Sequence, residues 1–150
     1  MATAIDVADA LVAALNGSEG PKYGTPPAGL NAARAYRPVY DLKDMKDLRV
    51  TVVPKAVEIE LAGRNLAQKD VQIDVAVQKK LSGSDSGGNP EIDALMDLVE
   101  EVADFVRSAG RLAGAVWIKT ENAPIYSPDH MENLRQFTSV LTFTFRLVAP

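Results

Sequence analysis

The sequence predicts an α+β fold, a mainly antiparallel sheet of about four to five strands with two helices packed on it. Two segments, residues 69–81 and 134–148, alternate apolar and polar residues with the period of a strand. Residues 89–109 instead repeat apolar side chains with the period of a helix. Together with a shorter N-terminal helix, these elements give the order helix, strands, helix, strands. The 150-residue length fits a single domain, residues 1–150.

The first element is an amphipathic helix over residues 3–15. Thr3 can cap its N-terminus, and Asp6 completes a start that resembles a capping box. The density of glycine and proline in residues 16–31 predicts a loop. Because so short a helix is unstable alone, we expect both segments to belong to the one domain. The apolar residues at helical spacing are Ile5, Ala8, Leu11, Val12 and Leu15.

Two strands are predicted next. Residues 32–40 are interrupted by Pro38, which favours an edge strand or two short pieces. Residues 48–53 are rich in β-branched side chains, and Pro54 is expected to end that strand.

Residues 54–68 have two interpretations. Three apolar residues alternate with two glutamates, which is typical of a strand, and residues 63–65 would form a turn. This arm is either ordinary core or a protruding segment that pairs with another subunit. Its candidate interface residues are Val57, Ile59, Leu61 and Arg64.

The second half gives the clearest predictions. Residues 82–89 are a loop of small polar residues, and Asn89 and Pro90 open the long helix. Leu98 and Phe105 lie beside the main apolar stripe of that helix and widen it to about half the circumference. One sheet contact does not need so wide a stripe. Leu98 and Phe105 are therefore also candidate contacts with a neighbouring subunit.

Composition excludes several classes of function. The formal net charge is −4, which disfavours tight nucleic-acid binding. The absence of cysteine excludes disulfides, Cys-ligated zinc and thiol catalysis, and a single histidine excludes multi-His metal sites. Asp6 and Asp9 interrupt the N-terminal apolar residues, so no export signal is predicted. No membrane span is predicted, and we expect synthesis in the cytosol.

No catalytic constellation stands out, so the sequence predicts a protein that is not an enzyme and needs no cofactor. Asp129 and His130 could form an acid–base pair, but no G-x-S-x-G motif supplies a nucleophile. The acidic residues of the long helix predict a solvated face rather than a metal site. Trp117 could line a ligand pocket, which keeps a cellular ligand-binding or protein-interaction module as an alternative.

Five segments of the second half carry a resemblance to a known family. They are residues 71–80 (VQIDVAVQKK), 91–102 (EIDALMDLVEEV), 115–118 (AVWI), 127–130 (SPDH) and 136–146 (QFTSVLTFTFR). In their order and character, residues 48–148 resemble the small neck and tail proteins of tailed bacteriophages. The class most similar to them is the tail terminator. Head-closure stoppers and tail-completion proteins share its size and character.

This resemblance implies an α+β subunit of the virion that forms a ring, typically a hexamer. The implied partners are other copies of the chain, the tail-tube protein, and the connector or stopper proteins of the neck. Genomic DNA would only pass through the central channel. The family brings no catalytic residues, and the resemblance leaves residues 1–47 unassigned.

Overall fold

The computed structural model describes residues 3–24, 26–36, 48–81, 88–128 and 136–150. Two helices and three long strands dominate it, with short strands at their flanks. The elements are α1 (Thr3–Asn16), β1 (Lys22–Tyr23), β2 (Ala28–Gly29), β3 (Ala33–Arg34), β4 (Arg49–Gly63), β5 (Leu66–Lys80), α2 (Gly88–Ala109), β6 (Arg111–Leu112), β7 (Ala115–Glu121) and β8 (Gln136–Ala149).

The main sheet has six strands in the order β3-β4-β5-β8-β7-β6, and β1 pairs with β2 in a separate two-stranded sheet. All pairings of the main sheet are antiparallel except that of β3 with β4. The predicted α+β class is therefore confirmed, but the expected four to five strands are too few. The additional member is β6, of two residues, whereas β3, also of two residues, is an edge strand within the predicted residues 32–40. Residues 37–40 of that prediction lie outside the described residues. Elements this short have no periodicity that a sequence could display.

β4 runs through the proline that was expected to end it, so that prediction is wrong. The register between β4 and β5 shifts between Pro54 and Ala56, which marks a β-bulge. A proline lacks the N–H that a ladder requires, and a bulge is one of the few places where a strand accepts it. One continuous strand of 15 residues therefore replaces the two predicted pieces.

The turn predicted at residues 63–65 is confirmed. Gly63 pairs with Leu66, which leaves Arg64 and Asn65 as a two-residue loop. Asn65 has a φ of 61°, in the left-handed region that asparagine tolerates better than most residues.

The hydrophobic core lies between the main sheet and the two helices. The helices contribute apolar rows at the expected spacing, and α2 follows its predicted bounds to within one residue. Alternate residues of β5 and β8 face them, as predicted. The buried side chains of these four elements include Val7, Leu11, Leu15, Val71, Ile73, Val75, Leu95, Val99, Val102, Phe137, Phe143 and Phe145. No helix in the described ranges is both long and apolar enough to cross a bilayer.

The Gly/Pro-rich segment is tied to α1 and α2. The Asn16 side chain at the end of α1 accepts a hydrogen bond from the Ala32 N–H (2.7 Å) and donates one to the Ala32 carbonyl (2.9 Å). Gly20 lies so close to the backbone carbonyl of Leu15 that any Cβ would collide with it. Tyr23 packs against the core, and its pKa is raised by burial and by the negative charge of Glu91. The described part of the segment is thus held against the end of α1 by Asn16 and Gly20, and against the core by Tyr23.

We expect Leu11→Ala to lower the free energy of unfolding by about 3 kcal/mol, because the Leu11 side chain is fully buried and leaves a cavity. Urea denaturation measures this difference. The control is Ile125→Ala, a comparable truncation at a half-exposed site outside the arm and the α2 groove, which should stay within about 0.5 kcal/mol of the parent chain. Equal losses at the two sites would contradict the packing of α1 on the sheet.

Candidate assembly interface

The hairpin formed by β4 and β5 extends beyond the helices that cover the sheet. Val50, Val52 and Val53 of β4 are buried, whereas every residue from Lys55 to Ala62 is exposed. A strand of 15 residues is roughly 50 Å long at ~3.3 Å per residue. The longer helix, α2, has 22 residues and spans about 33 Å at ~1.5 Å per residue. The far half of the hairpin, residues 55–70, is called the arm below.

One face of the arm carries an uncovered apolar row. Val57 pairs directly with Val71, which belongs to the core, so the two side chains share the helix-covered face of the sheet. Ile59 and Leu61 follow on that same face. The exposed fractions rise toward the tip, from 44% at Val57 to 61% at Ile59 and 85% at Leu61. The predicted alternation is confirmed, and the row is exposed rather than part of the core. Pairing of this segment with another subunit stays a prediction.

The opposite face of the arm is charged. Arg146 of β8 binds Asp70 through two hydrogen bonds, from Nε to Oδ1 (2.8 Å) and from Nη2 to Oδ2 (3.1 Å). This contact lowers the pKa of Asp70 and raises that of Arg146. Glu58 and Glu60 lie two residues apart on this face, and their mutual hydrogen bond and repulsion raise the pKa of Glu58. The arm is therefore amphipathic, with acid groups behind its apolar row.

Among the described residues, the outer edge of β4 has no partner strand along the arm. β3 pairs only with Thr51 and Val52, and the Ala35 N–H adds a bond to the Val52 carbonyl. Past Val53, none of the described strands pairs with this edge. An open edge presents backbone N–H and C=O groups that a strand of another chain can complete. The arm thus offers both an apolar face and a strand edge.

A groove lies beside the C-terminal half of α2. Residues 19–24 and Pro27 form one wall and α2 forms the other, around a cavity of about 680 Å³. Its apolar lining includes Pro21, Pro27 and Phe105. A second cavity of about 380 Å³ continues it along α2, with Lys22, Gly24 and Glu101 lining both. This continuous depression is called the α2 groove below.

A third cavity, of about 400 Å³, lies on the concave side of the sheet. Glu58 of β4 and Lys119 of β7 both line it, although β5 and β8 separate those strands, so the sheet curls strongly. Thr144 is only 5% exposed there, and its hydroxyl has no hydrogen-bond partner in the described part of the chain. Nowhere in the described ranges do three metal-ligating side chains gather.

The structure divides the predicted interface residues among three places. The four arm residues lie together at one end of the molecule, and Phe105 lies half-buried in the α2 groove. Leu98 is 2% exposed and belongs to the core, since residues 22–24 cover its side of α2. It offers no surface to a second chain. The arm residues are Val57, Ile59, Leu61 and Arg64.

Sequence reasoning missed other interface features. Leu66, 40% exposed, follows the turn on the face opposite Leu61. The groove wall formed by residues 19–24 and Pro27 was predicted only as a loop, because its packing against α2 depends on contacts distant in sequence. Asp129 and His130 lie outside the described residues. The acidic residues of α2 are exposed as expected, namely Asp93, Asp97, Glu100, Glu101 and Asp104.

Comparison with known proteins gives one informative result. No protein-family model and no curated protein matches the sequence. Among solved structures 25 chains match, and one of them is a chain of the "Virion of native gene transfer agent (GTA) particle". The match covers 99% of this chain and 98% of that chain, with a TM-score of 0.50 and 15% identity. At this identity the likeness shows a shared fold, here over the whole length of both chains.

We expect the stability contributed by the Asp70–Arg146 contact to depend on pH. Because the pKa of Asp70 is lower in the folded chain than in the unfolded chain, the contact stabilises the fold above about pH 4 and stops doing so as acid protonates Asp70. Asp70→Asn should therefore lower the melting temperature by a few degrees near neutral pH, and this difference should shrink toward acid pH.

Thermal unfolding followed by circular dichroism over a pH series measures the effect. Asp93→Asn, which removes the same charge from an exposed position on α2, is the control and should show no such trend. A difference for Asp70→Asn that grows toward low pH would contradict the assigned contact.

Proposed function

We propose that this protein is a structural subunit of a phage-type virion that forms a homo-oligomeric ring at the head–tail junction, in the position of a tail terminator. The observation that supports the virion assignment is the fold shared, over 99% of this chain, with a chain of a gene transfer agent virion. The resemblance of residues 48–148 to neck and tail proteins supports the same class.

The arm supports assembly into a larger structure. A lone chain would leave three neighbouring apolar side chains in water next to a strand edge with which no described strand pairs, and such a surface favours uncontrolled pairing between chains. A second subunit bound over this surface would bury the apolar row and could complete the backbone hydrogen bonds of β4. The arm is therefore best explained as a subunit contact.

A ring places a further demand on the surface. Each subunit must present two different patches, one to each neighbour, and the rotation between neighbours must close. The arm and the α2 groove are two such patches, and they lie on different elements of the chain. We propose a hexamer with a central channel through which DNA passes. The net charge of −4 suits a conduit, because a lumen that bound phosphates tightly would hold the DNA.

The remaining partners of the proposal are the tail-tube protein on one side of the ring and connector or stopper proteins on the other. The proposal includes no catalytic step, because an apolar row, a strand edge and a groove serve contact between chains. The structural comparison identifies a virion and not one particular part of it. The likeness therefore fits a head-closure stopper or a tail-completion protein equally well. These neck positions are the second candidate function.

Mass in solution tests the ring. We expect light scattering over a concentration series to show a species of about six times the 16.1 kDa chain mass, and negative-stain images to show a central hole. Co-sedimentation with assembled tail tubes is expected for a terminator, whereas a stopper should bind the connector instead. A monomer at every concentration, even with tail tubes present, would overturn the proposal.

A shortened arm tests the contact within the ring. We expect a variant in which Asn-Gly replaces residues 59–69 to remain monomeric, because it lacks the tip and most of the apolar row. Glu58 and Asp70 would still form the last pair before a two-residue turn, so the core should fold. Circular dichroism should show an unchanged fold, and light scattering should show the lost assembly. A ring formed by this variant would exclude the arm as the subunit contact.

A further inference from the structure

The tip of the arm combines apolar side chains with one positive charge. Leu61 projects on one face of the hairpin and Leu66 on the other, and both are exposed. Arg64 lies between them in the turn and is the single charged residue from Leu61 to Leu66. A complementary surface would therefore be apolar at its base and acidic at its rim.

The α2 groove has this character. Pro21, Pro27 and Phe105 give it an apolar lining, while three carboxylates and one ammonium, that of Lys22, surround them. Asp104 lies 3.6 Å from Arg107 in an exposed pair, which is worth little in water. The three carboxylates are Glu19, Glu101 and Asp104.

We infer that in the proposed ring the arm tip of each subunit inserts into the α2 groove of the next subunit, with Arg64 facing Glu101. The inference rests on the proposed ring and names the contact that would close it. Glu101 is the central partner because it lines both cavities of the groove.

The charges also limit how far the tip enters. Glu58 and Glu60 lie behind Leu61 on the arm, and an acidic rim repels them. Insertion therefore stops near Leu61, and the rest of the arm remains outside the groove. Because tip and groove are different surfaces, each subunit gives one contact and receives one, as a closed ring requires.

Charge exchange tests the inference. Arg64→Glu and Glu101→Arg each place like charges in the contact, and each should raise the concentration for half-assembly roughly tenfold or more. The double variant should assemble at a concentration close to that of the parent chain. A 1:1 mixture of the two single variants should also assemble, because alternating subunits restore an opposite-charge pair at every contact.

The control is Glu100→Arg, the same charge change one residue along α2 at an exposed position that does not line the groove. It should assemble like the parent chain. Circular dichroism and melting temperature show that each variant is folded.

A covalent test uses the absence of cysteine from the chain. The variant with both Arg64→Cys and Glu101→Cys should, on treatment with a short bismaleimide that forms a thioether with each thiol, give cross-linked ladders up to the ring size on a denaturing gel; a bismaleimide is used because an Arg–Glu contact holds the two backbones farther apart than a disulfide spans. Either single cysteine variant should give no ladder, because its thiol faces no second thiol in the contact.

The outcomes separate the two proposals. A parent chain that never assembles overturns the ring and, with it, this contact. A ring that is indifferent to both charge changes, or single variants that neither the double variant nor the mixture rescues, overturns the tip-in-groove contact and leaves the ring standing. Rescue by exchange together with the cysteine ladder supports the contact.

Discussion

The continuous pairing of β4, β5 and β8 is the constraint on which the rest of the structure depends. The same ladder that aligns Val52, Val75 and Leu141 beneath the helices continues to Leu61, Ala67 and Ala149 beyond them. Strict alternation along β4 would place Val57 on the face opposite Val52, but the bulge between Pro54 and Ala56 shifts the alternation by one residue. The core face of the sheet therefore continues as the apolar face of the arm, and the position of the apolar row follows from the register of the sheet and from this bulge.

The rest of the chain covers one face of the sheet that this ladder forms. α1 and α2 cover the near half of the sheet, and the segment between Asn16 and Ala32 closes over the flank of α2. That closure has two effects. It buries Leu98, and it forms a groove whose base includes Phe105. Core packing and surface shape thus arise from the same contacts.

Sequence reasoning succeeded for helices and strands whose own apolar residues repeat at a regular spacing. α2, β5 and β8 each repeat an apolar pattern over many residues, and the alternation at Val57, Ile59 and Leu61 was visible for the same reason. It failed where tertiary contacts decide. Pro54 gives a strong stop signal, yet the bulge accommodates it. The groove could not be predicted, because no local sequence pattern shows that a Gly/Pro-rich segment packs on a helix about 80 residues further along the chain. Tyr23 of that segment and Glu101 of α2 line the same cavity.

The pair of glutamates on the arm has a consequence for the symmetry of any assembly. If two β4 edges paired with each other across a two-fold axis centred at Ile59, Glu58 of one chain would lie opposite Glu60 of the partner subunit, and the reverse. Like charges directly opposite each other destabilise a strand pair, and this repulsion would add to that between Glu58 and Glu60 within each chain. A back-to-back dimer of arms in this register is therefore disfavoured, and the arm favours a partner surface unlike itself.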